Sequence, residues 1–495
     1  NREENYVSLL RRCTRSRDID AGKLIHAHMN NTFQKGRKSS TLNYTLFCMY
    51  AKCGNLAEMR SAFDAIERPS VVAWTSLINE YVKNRDMVEE AVALYHRMIQ
   101  EVVNPNHVTY LCVLKACAFL GLIHHGKYVH VNVSVNSSGS ELVLGNALID
   151  MYAKCGDVEM AQIEFNQMYD RTVVSWNSLI SGYVKNHDYE HAFSLFLDMK
   201  QGGIEPDPVT FLSVLKMCAS KKDLGHGKLT HSGILTAGFE EIAFIENALV
   251  DMYCKCGSLE SARRVFDEWP VRNVAAWNAM VAGYVQHGRS EDALELFGQM
   301  HENAIQPDIV TWNTIIFSCA QQGQVEEAMG FLEKLKQSGL NPDCSTLSSV
   351  LKACATASRV KEGRMVHMHI SVCSCDSDTV LNNILIDMYV CCGCLIDAHW
   401  VFGRIKQRNV VTWTTLISGY AQKHECANEA IKLFMEMQID GIEPNEYTFV
   451  CALKACSCIP SLHVGRHIHA QMVERTNVLE TMIGNSLINM YIKCG

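Results

Sequence analysis

Apolar residues recur at helical spacing in short segments along the whole chain, and polar turns separate these segments. In the segment "VVSWNSLISGYVKN" the apolar positions are Trp176, Leu179, Ile180 and Tyr183, which follow an i, i+3, i+4, i+7 pattern. The same spacing returns after the polar turn "KNHDYE", and the pattern then breaks at "GGIEPD". Glycine there can end a helix, and proline precedes a new one. The pattern predicts a helical hairpin.

The hairpin is one of many related copies. Close variants of the segment begin at positions 71, 173, 274, 309 and 410, and "MYAKCG" or a close variant begins at positions 49, 151, 252, 388 and 490. A third marker, "LKAC" or "LKMC", begins at positions 114, 215, 351 and 453. The copies that begin at 274 and 309 are 35 residues apart. Repeats of about this length indicate a solenoid, because a lone hairpin cannot bury both of its apolar faces. The sequence therefore predicts one all-α array, without internal domain boundaries.

Composition narrows the class of protein. No apolar run reaches the roughly 18 to 20 residues that span a bilayer, so we expect no membrane partner. The 22 cysteines mostly recur at fixed repeat positions, which favours reduced thiols packed as small apolar residues over a disulfide scaffold. The net charge of −8 argues against a broadly basic surface that would bind polyanions non-specifically. Nucleic-acid binding would have to depend on local basic positions.

The sequence gives only weak support for a zinc site and for a set of catalytic histidines. The run "CCGC" from Cys391 to Cys394, with Cys373 and Cys375 nearby, has C-x-x-C spacing typical of zinc sites. Cys392, however, is the cysteine of a repeated marker, so we predict no metal and no cofactor. Five histidines recur at repeat spacing, which indicates a structural role rather than a catalytic set: His26, His130, His231, His367 and His469.

The repeats resemble those of pentatricopeptide repeat (PPR) proteins of the plant PLS type, and the resemblance covers essentially the whole chain. It implies a right-handed superhelical solenoid of about 14 helix-turn-helix repeats plus a truncated final repeat. The tetratricopeptide signature W-x2-L-G-x2-Y is absent. The L units are 3–39, 107–141, 208–242, 344–378 and 446–480; the S units are 40–70, 142–172, 243–273, 379–409 and the partial 481–495; the P units are 71–106, 173–207, 274–308, 309–343 and 410–445.

The resemblance implies sequence-specific binding of single-stranded RNA, one base per repeat. In the family, the reading pair of a unit is its fifth residue and its last residue. The P units supply Thr75 with Asn106, Asn177 with Asp207, Asn278 with Asp308, Asn313 with Asp343, and Thr414 with Asn445. The S units supply Asn146 with Thr172, Asn247 with Asn273, Asn383 with Asn409, and Asn485 in the partial unit.

The family's code assigns uracil to Asn with Asp, adenine to Thr with Asn, and a pyrimidine to the S-unit pairs. From the first S unit to the last, the expected RNA is 5′-N-A-N-Y-U-N-Y-U-U-N-Y-A-N-Y-3′. The alternative is that these side chains only satisfy backbone groups at a helix start. The repetition of the pairs, each with a nearby apolar second residue, favours the reading role.

The resemblance also implies contacts to base faces and to phosphates. The second residues of the units would lie against bases: Val72, Val143, Val174, Phe244, Ala275, Val310, Val380 and Val411. Lysines at position thirteen would face the RNA backbone: Lys52, Lys83, Lys154, Lys185 and Lys255. Solvated lysines in an inter-helix turn are the alternative.

PLS-type proteins commonly guide C-to-U RNA editing in mitochondria or chloroplasts, which gives the expected localisation. Editing chemistry requires H-x-E followed by P-C-x-x-C, and neither half is present. We therefore expect a non-enzymatic specificity module without a small-molecule substrate, in a fragment whose targeting segment and C-terminal extension or deaminase region are missing. Its other expected partners are editing-complex proteins or a separate deaminase. A protein-interaction scaffold and an RNA processing or stabilisation factor are the alternatives.

Overall fold

A computed structural model describes residues 2–32, 40–136, 142–268, 273–372, 378–459, 461–475 and 481–494. Every regular element within these residues is helical, and the predicted all-α class is confirmed. None of the helices described there is long and apolar enough to cross a membrane. The chain forms two compact blocks, Asn1–Cys256 (the N-terminal block) and Gly257–Gly495 (the C-terminal block).

The N-terminal block contains the helices α1 to α15. Their bounds are α1 Arg2–Ser16, α2 Ile19–Thr32, α3 Ser40–Cys53, α4 Leu56–Asp64, α5 Val71–Lys83, α6 Val88–Gln100, α7 His107–Leu120, α8 Ile123–Asn136, α9 Leu142–Lys154, α10 Val158–Gln167, α11 Val173–Lys185, α12 Tyr189–Gln201, α13 Pro208–Lys221, α14 Leu224–Ala237 and α15 Ala243–Lys255. A short 3₁₀ turn, Arg85–Met87, precedes α6.

The C-terminal block contains the helices α16 to α29. Their bounds are α16 Leu259–Glu268, α17 Val274–Gln286, α18 Ser290–Glu302, α19 Ile309–Gln321, α20 Val325–Gln337, α21 Cys344–Thr356, α22 Val360–Val372, α23 Thr379–Cys391, α24 Leu395–Arg404, α25 Val410–Gln422, α26 Ala427–Ile439, α27 Glu446–Cys458, α28 Leu462–Arg475 and α29 Thr481–Cys494. A second 3₁₀ turn, His424–Cys426, precedes α26.

Within each block the first helices of successive units pack against one another in chain order. In the N-terminal block α7 packs on α9, α9 on α11 and α11 on α13; in the C-terminal block α21 packs on α23, α23 on α25 and α25 on α27. A second helix contacts the first helix of its own unit and the first helix of the next, as α12 does with α11 and α13. Successive first helices therefore form a continuous row in each block, and their N-termini carry the candidate site.

The starts of the first helices are fixed by local chemistry. The last residue of a P unit is the N-cap of the next first helix: Asp207 accepts from the backbone N–H of Thr210, and the Thr210 hydroxyl accepts from the backbone N–H of Asp207. Such reciprocal caps satisfy donors that a helix start leaves unpaired. Before this cap, Gly203 adopts φ +74°, a conformation that glycine tolerates without strain.

An aromatic pair recurs where a P unit follows another unit. Trp413, 2 % exposed, meets Phe402 edge to face at a ring-centroid distance of 4.7 Å. Trp74 meets Phe63 at 4.6 Å, and Trp176 meets Phe165 at 4.8 Å, in the same orientation. Edge-to-face contact adds to the burial of large apolar side chains. These pairs anchor one repeat on the next.

The junction from an L unit to an S unit has its own repeated contact. A histidine Nδ1 lies 2.8 to 2.9 Å from the hydroxyl of a tyrosine in the following S unit, as in His130 with Tyr152. Four residues before each histidine is a glycine at which a Cβ would meet a methionine sulfur at 2.3 to 2.6 Å. That methionine immediately precedes the tyrosine. The recurring histidines therefore pair with the "MY" marker of the next unit.

Replacing Tyr152 with Phe should lower the free energy of unfolding by about 1 kcal/mol, because it removes the hydroxyl that hydrogen-bonds to Nδ1 of His130. The matched control is Tyr169→Phe, since Tyr169 is 93 % exposed and its change should be near zero. Urea titration followed by circular dichroism measures both. Equal effects of the two substitutions would contradict the structural role of the histidine–tyrosine pair.

Cysteines occupy a third repeated contact. The thiols of Cys155, Cys256 and Cys392 lie 3.6 to 3.8 Å from the carbonyl oxygens of Cys117, Cys218 and Cys354, respectively. Burial raises the pKa of Cys117, Cys218, Cys354 and Cys456 to about 12, so these thiols stay protonated at neutral pH. Within the described ranges, which exclude Cys373 and Cys375, no cluster of three metal-ligating side chains occurs.

Candidate functional site

The reading pairs of three P units are joined by hydrogen bonds. Nδ2 of Asn177 donates to Oδ1 of Asp207 at 2.9 Å. Asn278 donates to Oδ1 of Asp308 at 3.0 Å. Asn313 donates to both carboxylate oxygens of Asp343, to Oδ1 at 3.2 Å and to Oδ2 at 3.0 Å. The fifth residue lies at the start of the second turn of its helix, and the last residue caps the next first helix. Stacking of first helices therefore brings together two residues that are 30 positions apart in sequence.

A threonine that the sequence analysis did not identify completes each of these pairs. The Thr210 hydroxyl lies 2.6 Å from Oδ1 of Asn177 and 2.9 Å from Oδ1 of Asp207. Thr311 makes the same two contacts with Asn278 and Asp308, and Thr346 makes them with Asn313 and Asp343. The pattern Asp-x-x-Thr at each helix start was the available signal, because it is the spacing of a reciprocal cap.

These contacts leave a defined set of polar atoms for a ligand. Oδ1 of Asn177 accepts from Thr210, and one Nδ2 hydrogen goes to Asp207. Among the described residues, two groups are left without a side-chain partner: the second Nδ2 hydrogen of Asn177, a donor, and Oδ2 of Asp207, an acceptor. Nδ2 of Asn177 is hydrogen-bonded to Oδ1 of Asp207, and Oδ2 belongs to the same carboxylate. The two unused groups are therefore close together. The pair can hydrogen-bond to a planar group that offers one acceptor beside one donor.

The three aspartates are ionised at neutral pH. Burial alone would raise the pKa of Asp207, but hydrogen bonds to the carboxylate, chiefly from the Thr210 N–H and the Asn177 amide, lower the pKa overall. The same opposing causes lower the pKa of Asp308 and Asp343. An ionised carboxylate accepts hydrogen bonds and donates none. The last residue of these units is therefore an acceptor only.

The lowered pKa values predict how the protein responds to pH. The carboxylates contribute stability above their unfolded pKa of about 3.9, and this contribution is lost as the pH falls through the lower folded values. The contribution of these groups to the thermal unfolding midpoint should therefore be constant from about pH 8 to pH 5 and decrease below about pH 4. Melting curves of the protein and of Asp207→Asn across this range measure it. An Asp207-dependent step near neutral pH would contradict the assignment.

The two P units with threonine at the fifth position are built differently. The Thr75 hydroxyl donates to the carbonyl of Val71 at 2.7 Å and lies 2.7 Å from the Thr109 hydroxyl. Oδ1 of Asn106 accepts from the N–H and the hydroxyl of Thr109, so its Nδ2 has no partner among the described residues. Thr414, Asn445 and Thr448 repeat this arrangement. The last residue of these units therefore presents a donor, where Asp207 presents an acceptor.

The S-unit pairs are less tightly joined. Nδ2 of Asn383 lies 3.5 Å from Oδ1 of Asn409, at the limit of a hydrogen bond. Oδ1 of Asn146, of Asn247 and of Asn383 is buried without a partner in the described structure. Thr172 contacts the Ser175 hydroxyl at 3.4 Å, and Asn273 caps α17 through the N–H of Ala276. Asn485 is exposed at the start of the second turn of α29.

The predicted base-stacking residues lie exposed beside the reading pairs. Seven of them, the valines and Phe244, are 45 % to 67 % exposed although large and apolar, and Ala275 is exposed as well. Each is the second residue of a first helix, three positions before the fifth residue. Side chains three apart share a helix face, so an apolar contact adjoins each polar pair.

The predicted phosphate-binding lysines lie at the ends of first helices, and most are already paired. Lys154 forms an ion pair with Asp150 at 2.7 Å, and Lys255 forms one with Asp251 at 2.8 Å. Lys83 pairs with Glu80, Lys185 contacts the carbonyl oxygen of Lys154, and Lys52 is exposed. The acids Glu80, Asp150 and Asp251 were missed in the prediction from sequence, and they lower the net positive charge available to a phosphate.

Two-helix units with stacked first helices and a polar pair at successive junctions define the class of helical-repeat proteins. A family model described as "PPR repeat family" matches residues 69–118, 171–220, 272–311, 307–356 and 408–458. A second model, "PPR repeat", matches residues 146–171, 247–274 and 383–410. Together with the relatives below, these matches show that the chain belongs to the pentatricopeptide repeat family, as predicted.

Relatives in Arabidopsis thaliana align along nearly the whole chain. The pentatricopeptide repeat-containing protein At3g16610 is 30 % identical over 99 % of this chain and 70 % of its own length. The chloroplastic protein DOT4 is 36 % identical over 99 % of this chain and 52 % of its own length. The chloroplastic protein At1g11290 is 30 % identical over 96 % of this chain and 54 % of its own length. The chain thus spans about half the length of the latter two.

A solved structure shares the fold. The pentatricopeptide repeat protein PPR10 of maize, crystallised in complex with an 18-nt psaJ RNA element, superposes with a TM-score of 0.60. The two chains are 18 % identical, and the match covers 99 % of this chain and 76 % of that one. The predicted helical-repeat fold is confirmed by this likeness.

Proposed function

We propose that this protein binds single-stranded RNA sequence-specifically, with one base read by each reading pair. The observation that carries the proposal is the donor beside an acceptor that remains at Asn177 and Asp207. A single-stranded base exposes its Watson–Crick edge, which is a row of donors and acceptors. The RNA in the PPR10 structure supports the same ligand class for a related fold.

Donor and acceptor chemistry favours uracil or guanine at the Asn–Asp pairs, and the choice of uracil within this class follows from the family's code. Uracil offers an N3–H donor between two carbonyl acceptors, so the free oxygen of Asp207 can accept from N3–H while the free N–H of Asn177 reaches a carbonyl. Cytosine presents a lone pair at N3, which an ionised carboxylate repels. The lowered pKa of Asp207 keeps that carboxylate charged, so the discrimination persists at neutral pH.

The Thr–Asn pairs favour the opposite class of base. The free Nδ2 of Asn106 can donate to a ring nitrogen lone pair, which adenine carries at N1 and cytosine at N3. Uracil and guanine carry a hydrogen at the corresponding position and are disfavoured. The choice of adenine within this class follows from the family's code. The exposed Val72 would cover the face of the base, with less energy than an aromatic side chain provides.

We assign this binding to the specificity step of C-to-U editing in chloroplasts or mitochondria. The organelle assignment is supported by relatives named chloroplastic or mitochondrial. The editing output and the PLS type rest on the alternation of L, S and P units along the chain. The residues at the reading pairs offer hydrogen-bond donors and acceptors, and we assign them to recognition of the RNA.

Electrophoretic mobility shift with three labelled RNAs tests the proposal. One carries 5′-N-A-N-Y-U-N-Y-U-U-N-Y-A-N-Y-3′, one has the same bases scrambled, and one is the first annealed to its complement. We expect the first to bind at least about tenfold more tightly than the others, since one good base contact is worth roughly 1 to 3 kcal/mol. Equal binding of all three would favour a protein-interaction scaffold.

Affinity should fall only gently with salt, because most candidate lysines already face acids.

A further inference from the structure

We infer that Thr210, Thr311 and Thr346 are positioning residues for base recognition, each orienting the amide of the preceding unit's asparagine so that its N–H faces the RNA. The inference rests on the proposed function and adds residues outside the reading pairs. Thr210 and Thr311 are fully buried, as is Thr346, so none of them can touch a base. Their influence must pass through the asparagine amide.

The Thr210 hydroxyl has two acceptors within reach, Oδ1 of Asn177 at 2.6 Å and Oδ1 of Asp207 at 2.9 Å. The hydroxyl oxygen accepts from the backbone N–H of Asp207 at 3.2 Å and has a single hydrogen to give. Oδ1 of Asp207 already accepts from the Thr210 N–H at 2.8 Å and from the Asn177 amide at 2.9 Å. Oδ1 of Asn177 is nearer, at 2.6 Å, and has no other partner among the described residues. The hydrogen therefore goes to Asn177 and fixes which end of the amide faces inward.

Removing the hydroxyl loosens the group that a base meets. Asn177 is only 8 % exposed, so an unpaired Oδ1 would carry the desolvation cost of a buried acceptor. Without the Thr210 hydroxyl, only the bond from Nδ2 to Asp207 still orients the amide. The N–H that a base would meet is then held less firmly in its direction. Uracil preference is therefore reduced while the carboxylate itself remains.

The chain contains a natural comparison at the S unit 379–409. Asn383 is also followed by a capping threonine, Thr412, but the Thr412 hydroxyl bonds to Asn409 at 2.9 Å and makes no hydrogen bond to Asn383. Oδ1 of Asn383 is left buried without a partner in the described structure. The S unit is shorter than the P unit, which changes where the fifth residue meets the next helix. We expect weaker discrimination at this position than at the Asn177 position.

The test compares Thr210→Val, Thr210→Ser and the unmodified protein. Each is titrated with four RNAs that differ only at the base assigned to Asn177 and Asp207. We expect a uracil-to-cytosine affinity ratio of about tenfold for the unmodified protein, less than about threefold for Thr210→Val, and recovery in Thr210→Ser. In a second set of RNAs that differ only at the base assigned to Asn278 and Asp308, the ratio should not change in either Thr210 variant.

Thr109→Val is the matched control, because it removes the same reciprocal cap beside Thr75, whose hydroxyl is already held by the Val71 carbonyl. Base preference at that position should stay within about twofold. Melting curves establish that each variant is folded, and Thr311→Val repeats the test if Thr210→Val is not. A Val variant that binds all four RNAs more weakly by the same factor overturns the inference. An unmodified protein without base preference would instead overturn the proposed function.

Discussion

Replacing Asn177 with Thr and Asp207 with Asn together should convert one RNA position from uracil to adenine preference. The new threonine can donate to the Val173 carbonyl as Thr75 donates to Val71, and the new asparagine can cap α13 as Asn106 caps α7. The acceptor that faces the RNA becomes a donor. We expect affinity for uracil to fall and affinity for adenine to rise by about tenfold each, since one bidentate contact is worth roughly 1 to 3 kcal/mol.

Filter-binding titration with the four bases at the fifth position of the predicted RNA measures this exchange. The base assigned to Asn313 and Asp343 is the internal control, and its uracil preference should persist. Unchanged preference at the fifth position with full affinity would show that the register between units and bases is wrong. A shift at a neighbouring position would show that the register is displaced by one unit.

Replacing Trp413 with Ala should cost about 3 to 5 kcal/mol in the free energy of unfolding. Trp413 is 2 % exposed, packs edge to face on Phe402 and lies under the Arg408 guanidinium at 5.8 Å from the ring centroid. The substitution leaves a cavity between two repeats and removes the aromatic contact. Because repeat arrays need not unfold in one step, the loss should appear first in the C-terminal block.

The matched control is Trp400→Ala, because Trp400 lies in the same block and is 54 % exposed. Its loss should cost less than about 1 kcal/mol. Hydrogen exchange followed by mass spectrometry measures both variants segment by segment. Similar losses of protection around α25 in the two variants would mean that the Trp413 contact does not hold the repeats together.

Helix period and repeat spacing were sufficient to predict the hairpins. Trp176, Leu179 and Ile180, read from sequence as one apolar face, are all buried in α11. The partners of these faces were harder to predict, because they lie on other units. The contact between Gly126 and Met151, for example, joins two markers whose spacing alone does not indicate which atoms meet.

The candidate site was predictable as a set of positions but not as a network. The sequence shows that Asn177 and Asp207 recur in register, and the structure places them 2.9 Å apart. The role of Thr210 could not be predicted, because a capping threonine is common at helix starts and its bond to Asn177 depends on the stacking of two units. The Lys154–Asp150 pair, by contrast, is an i, i+4 contact within one helix that the sequence already offers.

Selection of RNA from a random single-stranded pool tests the central claim most directly. After binding to the protein, recovered sequences should be enriched in uracil at the three positions assigned to Asn177, Asn278 and Asn313, the last two adjacent. Adenine should be enriched at the two positions assigned to Thr75 and Thr414, in the spacing A-N-Y-U-N-Y-U-U-N-Y-A. Recovery of sequences without this spacing, or of base-paired stems, would contradict a row of base-reading pairs.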